Sequence, residues 1–282
     1  MRKALATALL AAVAGACTPG ADAVDGTAPH AGHYVALGDS YVSGPGTGTP
    51  TGVPSGCLRS DHNYPHLIAA ELGVEKLSDV SCGGARTENL TAPQPTPQGT
   101  NPPQLDALRP DTALVTLGIG GNDVNLIERA AECARGAACL DMNAAGVPEW
   151  LASVLAEVGS RLGSALDEIA ERAPSARVIV VGYPTILPTD AGECALEYPE
   201  SVDRIPSLRQ GLDALNAMLA EQAAKHGAEY ADTVTPTRGH GVCAPPESRW
   251  VEGLEPVTGA HPLHPTARGE RALADAVLGV IL

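Results

Sequence analysis

Phenylalanine is absent from this 282-residue chain, and aromatic residues make up only 3% of it. Sugar sites often use flat aromatic platforms, so this scarcity leans slightly against a carbohydrate ligand. Basic residues are also few. The 18 Lys and Arg stand against 33 Asp and Glu, a formal net charge of -15. A basic footprint for nucleic acid is missing, which sets that class aside. The acidity bears on solubility and says little about fold. The uncharged run at residues 4–16, mostly Ala, Leu and Val, is too short to span a bilayer as a permanent helix. No cysteine pair has C-x-x-C spacing and none sits with closely spaced His, which argues against zinc. No Walker or dinucleotide glycine pattern occurs, so no cofactor and no metal is implied.

What is present fits one large domain. The chain is 44% hydrophobic, enough to bury a real core. Met1-Arg2-Lys3 followed by residues 4–16 has the form of an export signal. Two endings of that signal compete. Ala21-Asp22-Ala23 is an A-x-A cleavage site, whereas Ala14-Gly15-Ala16-Cys17 resembles a lipobox, with Cys17 as a lipidated first residue. Residues 1–23 are therefore expected to be a signal peptide or lipoprotein signal, 24–32 a linker, and 33–282 the folded domain. The other cysteines are Cys57, Cys82, Cys133, Cys139, Cys194 and Cys243. In an exported chain six cysteines imply three disulfides, with 15 possible pairings.

Five short apolar runs predict strands, at residues 33–37, 76–81, 112–117, 176–181 and 228–234. Helical spacing predicts helices over 64–72, 148–172, 208–225 and 266–282. Strand and helix in alternation argue for a three-layer α/β/α sandwich around a parallel sheet of five strands. Unalternating runs such as Val178–Val181 suit strands buried on both faces. Two Pro/Gly-rich loops, 44–56 and 91–103, each lie just beyond a strand. Ligand sites of open α/β sheets form beyond the carboxyl ends of strands.

Those strand ends carry chemistry. The first runs into Gly38-Asp39-Ser40, the second into Cys82-Gly83-Gly84, and the third into Gly120-Gly121-Asn122-Asp123. His261-Pro262-Leu263-His264 precedes the last helix. A serine hydroxyl is a weak nucleophile until a base takes its proton, and imidazole suits that task near neutrality. The tetrahedral intermediate of acyl transfer needs fixed donors for its oxyanion. The Ser40 and Gly84 amides and the Asn122 carboxamide are candidates, and glycine at 84 lets a backbone N–H approach a ligand closely. Each piece taken alone is an ordinary turn or helix cap; their conjunction in this order carries the inference. The G-x-S-x-G elbow of α/β-hydrolases is missing around Ser40.

These blocks resemble the SGNH/GDSL hydrolase family. Gly38–Ser40, Gly84, Gly120–Asp123 and His264 match its four blocks in order, and His264 is followed by the family's His-Pro-Thr-x-x-Gly pattern. The chain is also similar to the exported actinobacterial lipase/esterase branch. The resemblance implies a flavodoxin-like five-stranded sheet and ester hydrolysis through Ser40 with His264 as base. It further implies disulfides Cys57–Cys82, Cys133–Cys139 and Cys194–Cys243. One departure stands out. The family's Asp three residues before the His is His261 here. Members of that branch use a main-chain carbonyl instead, and the carbonyl of His261 is the expected orienter; His261 itself is the rival base. The expected protein is a monomeric lipase or carboxylesterase acting on small-molecule or lipid esters, either secreted or lipid-anchored on the outer membrane face. Carbohydrate deacetylase, phospholipase and thioesterase activities remain alternatives. A non-catalytic surface lipoprotein is the rival from another class.

Overall fold

The computed structural model describes Met1 and residues 32–125, 128–129, 131–132, 147–199 and 202–282. The export signal, the linker up to residue 31, Cys17 and the Cys133–Cys139 pair lie outside the described residues. Five strands form one parallel sheet: β1 (His33–Gly38), β2 (Lys76–Asp79), β5 (Thr112–Gly118), β6 (Arg177–Val181) and β7 (Glu229–Ala231). Their order is β2-β1-β5-β6-β7. Two further strands, β3 (Gln94–Thr96) and β4 (Gly99–Asn101), make an antiparallel hairpin inside the expected 91–103 loop.

The runs that do not alternate in polarity are buried on both faces, as a parallel sheet requires. Tyr34 and Ala36 of β1, Leu114 of β5 and Ile179 and Val181 of β6 pack on one side. Helices α2 (Tyr64–Glu71) and α6 (Ala267–Ile281) cover that side through Ile68, Leu273 and Val277. Val35, Leu37, Val115, Leu117 and Val180 face the other way. There α4 (Glu149–Arg172) and α5 (Ile205–Lys225) bury Leu151, Val158, Leu162, Ile169, Leu215 and Leu219. Each such side chain contributes about 1.5–3 kcal/mol when fully buried. The result is the expected three-layer α/β/α sandwich.

Several boundaries differ from the expected ones for local reasons. β7 stops at Ala231 because the Asp232 side chain accepts hydrogen bonds from the amides of Val234 and Thr235 and bends the chain into a turn. α5 begins at Ile205, three residues before the apolar repeat, with Pro206 in its first turn. Pro148 is the extended cap of α4 and not part of its first turn. Glu270 of α6 reaches across to α2, where its Oε2 accepts from the Tyr64 amide at 2.8 Å. This buried carboxyl group, whose pKa burial pushes well up, caps one helix from another and ties the C-terminal helix to the segment after β1.

Candidate active site

All the chemistry-bearing turns meet at the carboxyl edge of the sheet, around β1 and β5. Gly38 ends β1 with φ 151°, and a Cβ there would lie 2.2 Å from Val42 Cγ2 and 2.3 Å from the Gly118 carbonyl. Only glycine permits this close turn. The chain then enters a four-residue helix, α1 (Ser40–Ser43), capped by Asp39, whose side chain accepts from the Tyr41 amide at 2.9 Å. Ser40 is the first residue of that helix and is half-buried.

Ser40 Oγ lies 2.8 Å from His264 Nε2. The other ring nitrogen, Nδ1, is 2.7 Å from the Pro262 carbonyl. A carbonyl only accepts, so Nδ1 carries the proton and donates. Nε2 is then the acceptor, and Ser40 Oγ donates to it. Burial of the ring pushes the His264 pKa down to about 4, helped by nearby His261 and opposed by the Pro262 carbonyl. The Tyr41 ring packs at 5.1 Å against His264, and its hydroxyl donates to the Leu263 carbonyl at 2.5 Å.

The expected orienter needs correction. The His261 carbonyl does not face the ring; it accepts from the backbone amide of His264 at 3.1 Å. Leu263 has φ 60°, in the left-handed region. That conformation is uncommon for leucine. It turns the chain so that Pro262, not His261, presents its oxygen to Nδ1. The exposed His261 ring stands edge-on to His264 with centroids 6.2 Å apart, and it makes no contact with Ser40.

The oxyanion candidates lie on the turns beyond β1, β2 and β5. Asn122 belongs to α3 (Gly121–Val124), and its Nδ2 donates to the Ala85 carbonyl at 2.9 Å, which leaves the second N–H of the amide free. Gly84 has φ 76° in the turn beyond β2. The neighbouring amides of that turn are engaged: Gly83 donates to Cys57 at 2.9 Å and Ala85 to Cys82 at 3.0 Å. The amides of Ser40 and Gly84 find no acceptor among the described residues. Cys57–Cys82 and Cys194–Cys243 are bridged, the first beside this turn.

Several contributors carry no sequence signal. Tyr183, beyond β6, accepts from the Gly121 amide at 2.7 Å and donates to Asp39 Oδ2 at 2.5 Å. It thereby joins the serine turn to the asparagine turn. Burial raises the Asp39 pKa to about 7, against the lowering effect of the Tyr183 and Tyr41 hydrogen bonds. Among the described residues no group of three His, Cys, Asp or Glu side chains is placed to hold a metal ion.

Comparison with known proteins gives the family and its relatives. The GDSL-like Lipase/Acylhydrolase family matches residues 36–272. Lipase 2 of Streptomyces coelicolor is 38% identical over 258 residues, covering 88% of this chain and 85% of that protein. The solved phospholipase A1 of Streptomyces albidoflavus superposes with a TM-score of 0.71 at 28% identity, over 89% of this chain and all (100%) of that one. The extracellular lipase of Streptomyces rimosus gives a TM-score of 0.68 at 30% identity, with 89% and 100% covered. These relatives are named as lipases and a phospholipase, and the chain is an ester hydrolase. It belongs to the GDSL-like lipase/acylhydrolase family.

Proposed function

We propose that the protein hydrolyses carboxylic esters through an acyl-enzyme on Ser40. Ser40 Oγ attacks the ester carbon while its proton passes to His264 Nε2. The carbonyl π electrons move onto oxygen, and the oxyanion takes hydrogen bonds from the Ser40 amide, the Gly84 amide and Asn122 Nδ2. Collapse of the intermediate breaks the ester C–O bond, and His264 returns the proton to the leaving alcohol. Water then attacks the acyl-enzyme, giving its proton to His264, and Ser40 is regenerated with the free acid. The Pro262 carbonyl fixes the tautomer that this sequence requires, in the place a carboxylate holds in the Ser-His-Asp arrangement. The observation that carries this reading is the 2.8 Å contact from Ser40 Oγ to His264 Nε2.

Fatty-acyl esters are the preferred substrates in this reading, supported by the lipase relatives and by the phospholipase A1 among the solved structures. Export of the protein, secreted or anchored through Cys17, rests on the N-terminal sequence. Hydrolysis of p-nitrophenyl esters from acetyl to palmitoyl tests both parts. Activity that vanishes in Ser40→Ala supports the mechanism, and the chain-length optimum separates lipase from deacetylase. Equal rates in the two proteins would sink the assignment of Ser40. Failure of a fluorophosphonate to label folded protein would favour a binding module.

A further inference from the structure

The turn that offers the Gly84 amide is held from behind by a side chain outside the family's motif blocks. Gln94, at the start of β3, donates from Nε2 to the Gly83 carbonyl at 2.8 Å. A carbonyl only accepts, so the amide nitrogen must be the atom facing it. The Gly83 carbonyl and the Gly84 N–H belong to one planar peptide unit. A hydrogen bond accepted at the oxygen draws electron density from the nitrogen and makes the N–H a stronger donor. The same bond fixes the plane of a peptide between two glycines, which otherwise rotates readily. Gln94 Nε2 also lies 3.9 Å from where a Gly84 Cβ would be.

Gln94 is 9% exposed, and its Oε1 is buried without a partner. An orphaned buried acceptor costs about 1–3 kcal/mol. The fold tolerates that cost while keeping the nitrogen on the Gly83 carbonyl.

Gln94 does not act from a loose loop. Its register partner across the hairpin is Asn101, which is 1% exposed. Asn101 donates to the Val80 carbonyl at 3.2 Å and accepts from Arg59 at 2.7 Å. Just beyond, the fully buried Gln104 donates to the Gly38 carbonyl at 2.9 Å and accepts from the Gly38 amide at 2.7 Å. Three carboxamides from one short segment thus grip the backbone at the ends of β1 and β2, directly behind Ser40 and Gly84.

We infer that Gln94 is a positioning residue for the oxyanion hole, holding and polarising the Gly83–Gly84 peptide, and that the 94–104 segment is a fixed brace for the site. This rests on the Ser40 mechanism above. Both acylation and deacylation pass through an oxyanion, so losing the Gln94 donor slows both steps alike. For Gln94→Met the expected result with p-nitrophenyl butyrate is a kcat lower by about tenfold, with KM within about twofold of wild type. The rate of Ser40 labelling by a fluorophosphonate falls in step. Gln94→Asn, whose amide is too short to reach the carbonyl, gives the same pattern and serves if the Met variant does not fold. An unchanged kcat and labelling rate in a folded variant overturns the inference. So does a loss matched by a fall in the folded fraction at the assay temperature, which marks a merely structural role. If wild type is neither labelled nor impaired by Ser40→Ala, the Ser40 mechanism has failed instead.

Discussion

Acid should inhibit this enzyme far later than it inhibits hydrolases whose base is an ordinary histidine. Two features set the His264 pKa. The ring is partly withdrawn from water, which disfavours its charged form, and its Nδ1 faces a neutral carbonyl where a carboxylate would have favoured that form. The resulting value is about 4, against 6.5 for an unperturbed imidazole. At pH 5.5 an ordinary histidine is only about one-tenth neutral, whereas one titrating near 4 is about 97% neutral. The acid limb of kcat/KM, which reports the free enzyme, is therefore expected to have its midpoint between about pH 4 and 5. Hydrolysis of p-nitrophenyl acetate from pH 4 to 8, with samples made alkaline before reading, measures it. Asp39 titrates near 7 and touches the serine turn. Any second inflection there is assigned with Asp39→Asn. A single acid limb centred at 6.5 or above, unmoved in that variant, would refute the claim that a buried, carbonyl-held imidazole is the base. Stability follows the same linkage. The His264 pKa is lower in the folded chain than in the unfolded one, so the unfolded chain takes up the proton first. This group's contribution is complete above pH 6.5 and is lost as pH falls toward 4.

Asn122→Ala removes one oxyanion donor together with the bond to the Ala85 carbonyl; kcat is expected to fall by about 10²–10³ with the fold intact by circular dichroism. Replacing Cys57 and Cys82 together by Ala should lower stability by about 2–4 kcal/mol in urea unfolding. It should also lower kcat, because the Gly83 amide is anchored on the Cys57 carbonyl beside the bridge; unchanged kcat would show that the bridge serves stability alone.

The layered fold was legible because its strands are short unalternating apolar runs and its long helices carry regular stripes. Val178–Val181 could only be a strand with both faces covered. Ser40, Gly84, Asn122 and His264 were legible as a set because each stands at a strand end or just before a helix; the structure puts Ser40 against His264 and ties Asn122 to Ala85, the residue after Gly84. The parts that escaped are backbone contacts and long-range side-chain contacts. Which carbonyl meets Nδ1 depends on the left-handed turn at Leu263, and leucine gives no hint of that conformation. Gln104 grips Gly38 from 66 residues away, and Tyr183 reaches Asp39 across 144. Nothing local marks either residue, since their partners are set by the sheet order. The hairpin was hidden because Pro and Gly in 91–103 read as loop, although Pro95 and Gly99 lie within its paired strands and Pro97 in its turn.

His264 lies 224 residues after Ser40, on the turn that leads into α6, and Glu270 of that helix clasps α2. A ribosome-bound chain therefore contains Ser40 long before His264 has been made. In the folded chain the C-terminal segment supplies both the histidine that meets Ser40 and the glutamate that caps α2. While the preceding residues are being made, the chain holds Ser40 without the His264 partner that lies within hydrogen-bond distance of it in the folded protein.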